Sequence, residues 1–417
     1  MNLVMDSKAG ALVLIARKID YRWIIAGSVL AYYFIYWGNI TNFVTQIDHC
    51  PKLFCDFTGF FYPAGKAILS GGSFPAGFYY STFAAILFSP FALFEQEMAI
   101  VVWGTLQLVS IGAFYFILER AIVQERYEKY LFLFLFITSA PLVNSVKWGQ
   151  ISPMITLGVF ASFLLYQKGR VVPSAAILGS VIAVKYYPVI FLVYFLLKSD
   201  WRYILLCAAT VLLEYLLLPI ILFGPDGFWR FQQSSSAGIP TLIQLGLVNF
   251  DSQYISSVFA HLFLLQSPGL YFVIVPALMG YTIIFAAIWL VHRINTLKLQ
   301  NEAIWACALL FSTLAFWLPN SWPHYFVYLP CLQILAFQIV KEWRGQKISL
   351  LFSSLWVLSI FSSNILLVNS IHSWINYAVM GWIFWSNLAV LIVSSIHFLK
   401  RPLSREVETR NEPALAA

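Results

Sequence analysis

Residues 172–198 read VPSAAILGSVIAVKYYPVIFLVYFLLK. The run is longer than the roughly 20 apolar residues that carry a helix across a bilayer. It holds one charge before its terminal lysine, Lys185, with at least twelve uncharged residues on each side. Three positions on, Pro188 removes a backbone donor and disfavours an uninterrupted helix. The stretch is predicted to form two short helices that turn near Lys185 inside lipid. An intramembrane ion is a functional hypothesis in its own right; a lysine satisfied by the carbonyls freed at the break is the bland alternative.

Working outward, the whole chain has the same character. Of 417 residues, 60% are hydrophobic and 10% charged, against roughly 25% charged in soluble domains. Long apolar runs without period-2 alternation point to helices rather than barrel strands, because a spanning segment must satisfy its own backbone. The fold class expected is all-α, a polytopic helical bundle of one membrane domain over 1–417 with about 11–13 membrane helices. The candidate segments are 23–42, 78–94, 98–118, 130–146, 151–167, 172–198, 203–223, 269–291, 303–318, 322–340, 348–368 and 375–399. The first follows Lys8, Arg17, Lys18 and Arg22 without a small-residue cleavage site, so it reads as a retained helix. The formal charge is +7, but the basic residues fall in short loops between apolar runs. That is membrane topology, not a nucleic-acid-binding face.

Charge also orients the chain. If 78–94, with Pro90 inside, is re-entrant or surface-lying and 172–198 turns back at Lys185, every strongly basic loop falls on one side, twenty of the 25 Lys and Arg. Straight counting would export Arg120, Arg126, Lys129, Lys168 and Arg170, against the positive-inside bias. The bent arrangement makes 1–22 and 400–417 cytoplasmic and leaves two long outer loops, 43–77 and 224–267. Aromatic and aliphatic residues recur there at helical spacing, Phe57, Phe60, Phe61, Ala64 and Ile68 in one and Phe228, Trp229 and Phe231 in the other. Amphipathic helices on the membrane surface fit that pattern.

Few charges remain for chemistry on the outer side. Asp56 opens Asp-Phe-Thr-Gly-Phe-Phe-Tyr62-Pro-Ala-Gly-Lys in the first loop, where it reads either as a helix cap or as a functional carboxylate. Lys147-Trp-Gly-Gln150 ends one segment, and there a lysine also fits interfacial snorkelling. Ser321-Trp322-Pro-His324 begins another, and an interfacial anchor is the alternative for its histidine. Cys50 and Cys55 bracket Pro-Lys-Leu-Phe, which suits a disulfide in an oxidising compartment, with a metal site the weaker reading. Cys207, Cys307 and Cys331 lie in apolar helices as small packing residues.

Together, and in this order, the loop aspartate, a Tyr-rich helix ending near Pro, Gly149-Gln150 before an apolar helix, Lys185-Tyr-Tyr-Pro188 in a helix break and Ser321-Trp-Pro-His324 resemble glycosyltransferase family 87. That family belongs to the GT-C membrane glycosyltransferases and is related to mycobacterial polyprenyl-phosphate-mannose-dependent α-mannosyltransferases. The resemblance spans about residues 20–345. It implies a catalytic base at Asp56, a donor phosphate flanked by Gln150 and Lys185, and a second catalytic residue at His324 that completes the pocket, with Lys147, Tyr62, Tyr80 and Trp322 as further substrate contacts. The chain departs from the family pattern at Tyr80-Ser-Thr, where Tyr-Pro-Pro is common, and at Tyr325, where a second histidine is common.

The residue chemistry agrees with that implication. A polyprenyl-phosphate sugar brings its own leaving group, so catalysis needs chiefly a carboxylate to take the acceptor's proton and a cation to hold the phosphate. No Asp-x-Asp lies near Gly149-Gln150, so neither metal nor cofactor is expected. The expected partners are a polyprenyl-phosphate sugar donor, a lipid-linked or glycan acceptor and membrane lipids, meeting at the external or periplasmic face of a bacterial plasma membrane. A transporter or flippase of lipid-linked sugars is the rival class, because broken helices with an intramembrane lysine also suit transport; the chain has no internal repeat to support it.

Overall fold

A computed structural model describes residues 22, 24–29, 53–236, 251–263, 270–297, 301–366 and 380–401. Most of the first apolar segment, both chain termini, Asp48 and Cys50 lie outside the described residues. Among those described there is no β-strand, only an isolated bridge between Ser139 and Asn364. Four helices, Gln96–Ile122, Trp201–Ser236, Val273–Leu297 and Trp382–Lys400, are long and apolar enough to cross a membrane. Shorter apolar helices, among them Ser152–Gln167, Val171–Val184, Tyr187–Leu197, Glu302–Trp317 and Ser349–Ser363, make up the rest of the bundle. The protein is an all-α polytopic membrane protein.

The segment at Lys185 breaks as its sequence predicts. Val171–Val184 ends where Lys185 becomes extended, at φ −145 and ψ 131, and Pro188 falls in the first turn of a 3-10 helix over Tyr187–Phe191 that leads into Leu192–Leu197. The two arms do not continue in one direction, because Val171 and Lys198 line a single cleft. The chain therefore reverses at Lys185.

The bundle has two ends of different chemistry. At one, Glu119 pairs with Arg22 and Lys129 at 3.3 and 3.2 Å, while Lys341 pairs with Glu125 and Glu128. Trp343 donates to His397 at 2.9 Å, Arg293 donates to the carbonyls of Phe398 and Arg401, and Lys198 pairs with Glu302. These contacts gather the basic loops predicted to share a side. At the opposite end lie Asp56, Tyr80, Gln150 and Lys185.

The 78–94 segment stays at this second end. Thr82–Phe88 is capped by the Ser81 hydroxyl and passes through Pro90 into a 3-10 turn, Ser89–Leu93. Tyr80 reaches Gln150 near the start of the segment, and Phe91 packs edge-on to Trp103 at 5.5 Å near its end. Over it lies the loop helix Tyr62–Ser70, closed by Gly71 in the left-handed conformation and preceded by a π-turn, Phe57–Phe61. The helical spacing read in the sequence buries Phe57, Phe61, Ala64 and Ile68. Phe61 stacks on Phe88 at 4.6 Å and Phe57 on Trp103 at 5.3 Å, so this helix is held by protein contacts worth about 0.5–1.5 kcal/mol per aromatic pair beyond area burial. From the second loop, the helix kinked at Gly224 brings Ser235 to the Tyr80 carbonyl at 2.6 Å.

Candidate active site

The site is assembled on the turn at Gly149-Gln150, and the turn is held from three sides. Gly149 sits at φ 68, where a side chain is disfavoured. Trp103 donates to its carbonyl at 2.9 Å. Gln107, buried midway along the helix Gln96–Ile122, donates to the carbonyls of Ser145 at 3.1 Å and Gln150 at 2.9 Å. The Phe54 amide donates to the Lys147 carbonyl at 2.7 Å, and Phe54 itself lies at φ 59, a left-handed position unusual for a bulky residue. A Cβ on Gly149 would meet Phe54 at 3.0 Å.

Replacing Gly149 by alanine should therefore lower the thermal midpoint of the solubilised protein, with about 1–2 kcal/mol from the left-handed backbone alone. The Phe54 clash adds to that, and a thermal scan in detergent checks it.

From this turn a hydrogen-bonded chain crosses the site. Lys185 Nζ donates to the Tyr80 hydroxyl at 2.9 Å. That hydroxyl donates to Gln150 Oε1 at 3.1 Å, and Gln150 Nε2 donates to Asp56 Oδ2. Four residues from four separate segments, spanning 56 to 185, thus form one relay with a cation at one end and a carboxylate at the other. Asp56 occupies the N-cap position of its π-turn but makes no side-chain cap bond; its carboxylate is turned toward Gln150.

Lys185 is 7% exposed and sits among aromatic faces, 4.2 Å from the Tyr325 ring centroid, 4.5 Å from Tyr80 and 5.8 Å from Tyr187. Ring quadrupoles attract an ammonium in place of the water it has lost. Asp56 and Lys185 lie close enough for their charges to interact, as do Lys185 and His324. His324 is buried against the edge of Tyr325 at 4.8 Å, on the short turn Pro323–Phe326 that packs on the helix Ala140–Trp148. Ser321, whose hydroxyl donates to the Leu318 carbonyl at 2.6 Å, fixes the chain ahead of that turn.

Of the residues expected from sequence, Asp56, Gln150, Tyr80 and Lys185 come into one chain, with His324 alongside. Lys147 is buried on the helix leading to the turn, its ammonium 5.9 Å from the Trp148 ring. Trp322 lies half-buried ahead of His324. Tyr62 is placed differently: its hydroxyl donates to the Phe94 carbonyl at 2.9 Å, tying its helix to the 82–94 segment rather than joining the relay. Tyr187 entered the sequence reading only within Lys185-Tyr-Tyr-Pro188 and Tyr325 only as a departure from the family pattern, while Trp103 and Gln107 did not enter it. The first two are neighbours in chain of Lys185 and His324, and a glutamine midway along a mostly apolar helix was a signal for the last. Cys55 is disulfide-bonded, whereas Cys207, Cys307 and Cys331 are free. Among the described residues no three His, Cys, Asp or Glu side chains gather as metal ligands.

Comparison with known proteins bears on what this relay serves. The description of glycosyltransferase family 87 matches residues 78–318. The chain belongs to glycosyltransferase family 87. Over 375 residues it is 26% identical to the polyprenol-phosphate-mannose-dependent alpha-(1-2)-phosphatidylinositol mannoside mannosyltransferase of Mycobacterium tuberculosis, an alignment covering 83% of this chain and 84% of that one. No solved structure matches it. As a family 87 member the protein is a membrane glycosyltransferase, which sets aside the transporter reading. The family match includes Tyr80, Gln150 and Lys185 and stops short of Asp56 and His324.

Proposed function

We propose that this family 87 protein transfers a hexose, mannose by analogy with its mycobacterial relative, from a polyprenyl-phosphate donor to a lipid-linked or glycan acceptor by inverting single displacement. The observation that carries this reading is the relay from Lys185 through Tyr80 and Gln150 to Asp56. Asp56 takes the proton of the acceptor hydroxyl as that oxygen attacks the anomeric carbon. The carbon–oxygen bond to the phosphate breaks, its electron pair leaves with polyprenyl phosphate, and Lys185 stabilises the charge that develops there. A fixed cation in a dry site is worth far more than one in water and needs no reorganisation during reaction. Tyr80 and Gln150 hold the two ends in register.

Purified protein in vesicles containing labelled polyprenyl-phosphate mannose tests this reading. Label should appear in a new glycosidic bond with equimolar polyprenyl phosphate released; label that crosses the membrane with its phosphate bond intact would overturn it.

In this reading the site end faces outward and the basic end lies in the cytoplasm, as the positive-inside bias favours. Gln96 and Gln346 are exposed at opposite ends. In a cysteine-free background, Gln96→Cys should react with an impermeant maleimide from outside and Gln346→Cys only after permeabilisation. The reverse pattern would invert the orientation.

A further inference from the structure

At the basic end a cleft of about 570 Å³ opens between helix termini, lined by Tyr166, Gly169, Tyr194, Lys198, Asp200 and Glu302. It is remote from the catalytic relay. The 14-residue helix Val171–Val184 separates its Val171 wall from Lys185, roughly 21 Å at 1.5 Å per residue. The charge of the cleft runs against its surroundings. In a region where basic loops gather, its lining holds two carboxylates and one lysine.

Both carboxylates are fixed in place. Asp200 accepts from the Tyr166 hydroxyl at 2.8 Å and the Tyr203 amide at 3.0 Å. Glu302 Oε1 accepts from Lys198 and from the Tyr194 hydroxyl, while its Oε2 accepts from nothing among the described residues. Lys198 and Glu302 side chains remain 25% and 18% exposed, so the pair is reachable from the cleft. Lys168 and Arg170 are exposed and adjoin in chain Gly169 and Val171, which line the cleft, and Trp201, 61% exposed, stands beside Asp200. An exposed tryptophan at a helix end marks the headgroup level of a membrane.

The recess is thus anionic and aromatic inside, with two exposed cations next in chain to its Gly169 edge, and set at headgroup depth. A monoanionic headgroup would meet Asp200 and Glu302 unfavourably, and a simple cation would leave Lys168 and Arg170 unused. We propose that the cleft binds the headgroup of an aminophospholipid, its primary ammonium on Glu302 and Asp200 and its phosphate on Lys168 and Arg170. Charge-assisted hydrogen bonds from a primary ammonium to fixed carboxylates select it over a quaternary one, which has no proton to donate. The tyrosine faces favour either cation and so do not discriminate. The site is independent of the transfer reaction, and its test needs no turnover.

Native mass spectrometry of the detergent-purified full chain, titrated with dioleoyl phosphatidylethanolamine, phosphatidylcholine or phosphatidylglycerol, reads the selectivity directly. The ethanolamine lipid should bind at least about tenfold more tightly than either other lipid, the choline analogue losing the charge-assisted bonds and the glycerol lipid the cation. Asp200→Asn and Glu302→Gln together should bring the ethanolamine and choline lipids to equal affinity. Equal binding of those two lipids by the unaltered protein would overturn the proposal, a decision that requires no variant to fold. So would tighter binding of phosphatidylglycerol, which would mark a site that reads phosphate alone, or a preference that survives the double substitution.

Discussion

Asp56→Asn is expected to fold, to bind the donor, and to transfer sugar about 10²–10⁴-fold more slowly, the range typical of losing a general base. The asparagine oxygen can still accept from Gln150 Nε2, the bond that joins the carboxylate to the relay, so position is kept while basicity is lost. Because Asp56 makes no side-chain cap bond, its π-turn loses no cap in the exchange. Asp48→Asn, in the same loop, should leave turnover near normal. Donor affinity and single-turnover rate measured separately check the claim: the rate should fall while affinity holds. Near-normal transfer by Asp56→Asn would remove it from the base role.

Lys185→Met should instead weaken donor binding. Methionine is an unbranched side chain of similar length that suits the apolar faces of Tyr80, Tyr187 and Tyr325 around the ammonium, and it removes a buried charge rather than adding one. Losing a charge-assisted bond to phosphate costs about 1.5–3 kcal/mol, or roughly 10–150-fold in donor affinity. Titration of a non-transferable donor analogue into folded protein reads the effect. Unchanged affinity would leave the lysine as a residue satisfied by its aromatic cage and the Tyr80 hydroxyl.

The two substitutions probe residues that stood out in the sequence for different reasons. Lys185 stood out because a charge in an apolar run has few inexpensive explanations, and Pro188 marked the break that places it. Asp56 was visible only through the order of motifs along the chain, since alone it read more readily as a cap. The reversal at Lys185 and the clustering of the basic loops followed from charge. The break at Thr138-Ser139 did not: 130–146 read as one segment, yet it is two helices, Arg126–Ile137 and Ala140–Trp148. Pro141, in the first turn of the second helix, was the available signal. What makes the break tolerable is remote, since Asn364 donates to the Thr138 hydroxyl and the Ile365 amide to the Thr138 carbonyl, both at 2.8 Å. Freed backbone groups inside a membrane protein need such partners, and no local pattern announces where they come from. The same holds for Tyr325 in the lysine cage and for Trp103 and Gln107 on the Gly149 turn: each acts across the bundle, through distance in space rather than spacing in sequence. Tyr62 shows the converse, a residue whose motif points to substrate while its hydroxyl anchors the Phe94 carbonyl.

The central claim is that one relay holds the phosphate at its cationic end and activates the acceptor at its anionic end. A structure of the protein with a non-transferable polyprenyl-phosphate sugar bound tests it most directly. The account predicts a phosphate oxygen within hydrogen-bond distance of Lys185 Nζ, and Asp56 within one water-bridged contact of the face of the anomeric carbon opposite the phosphate, where an acceptor hydroxyl must stand. A headgroup seated away from Lys185, or an anomeric carbon turned from Asp56, would contradict it.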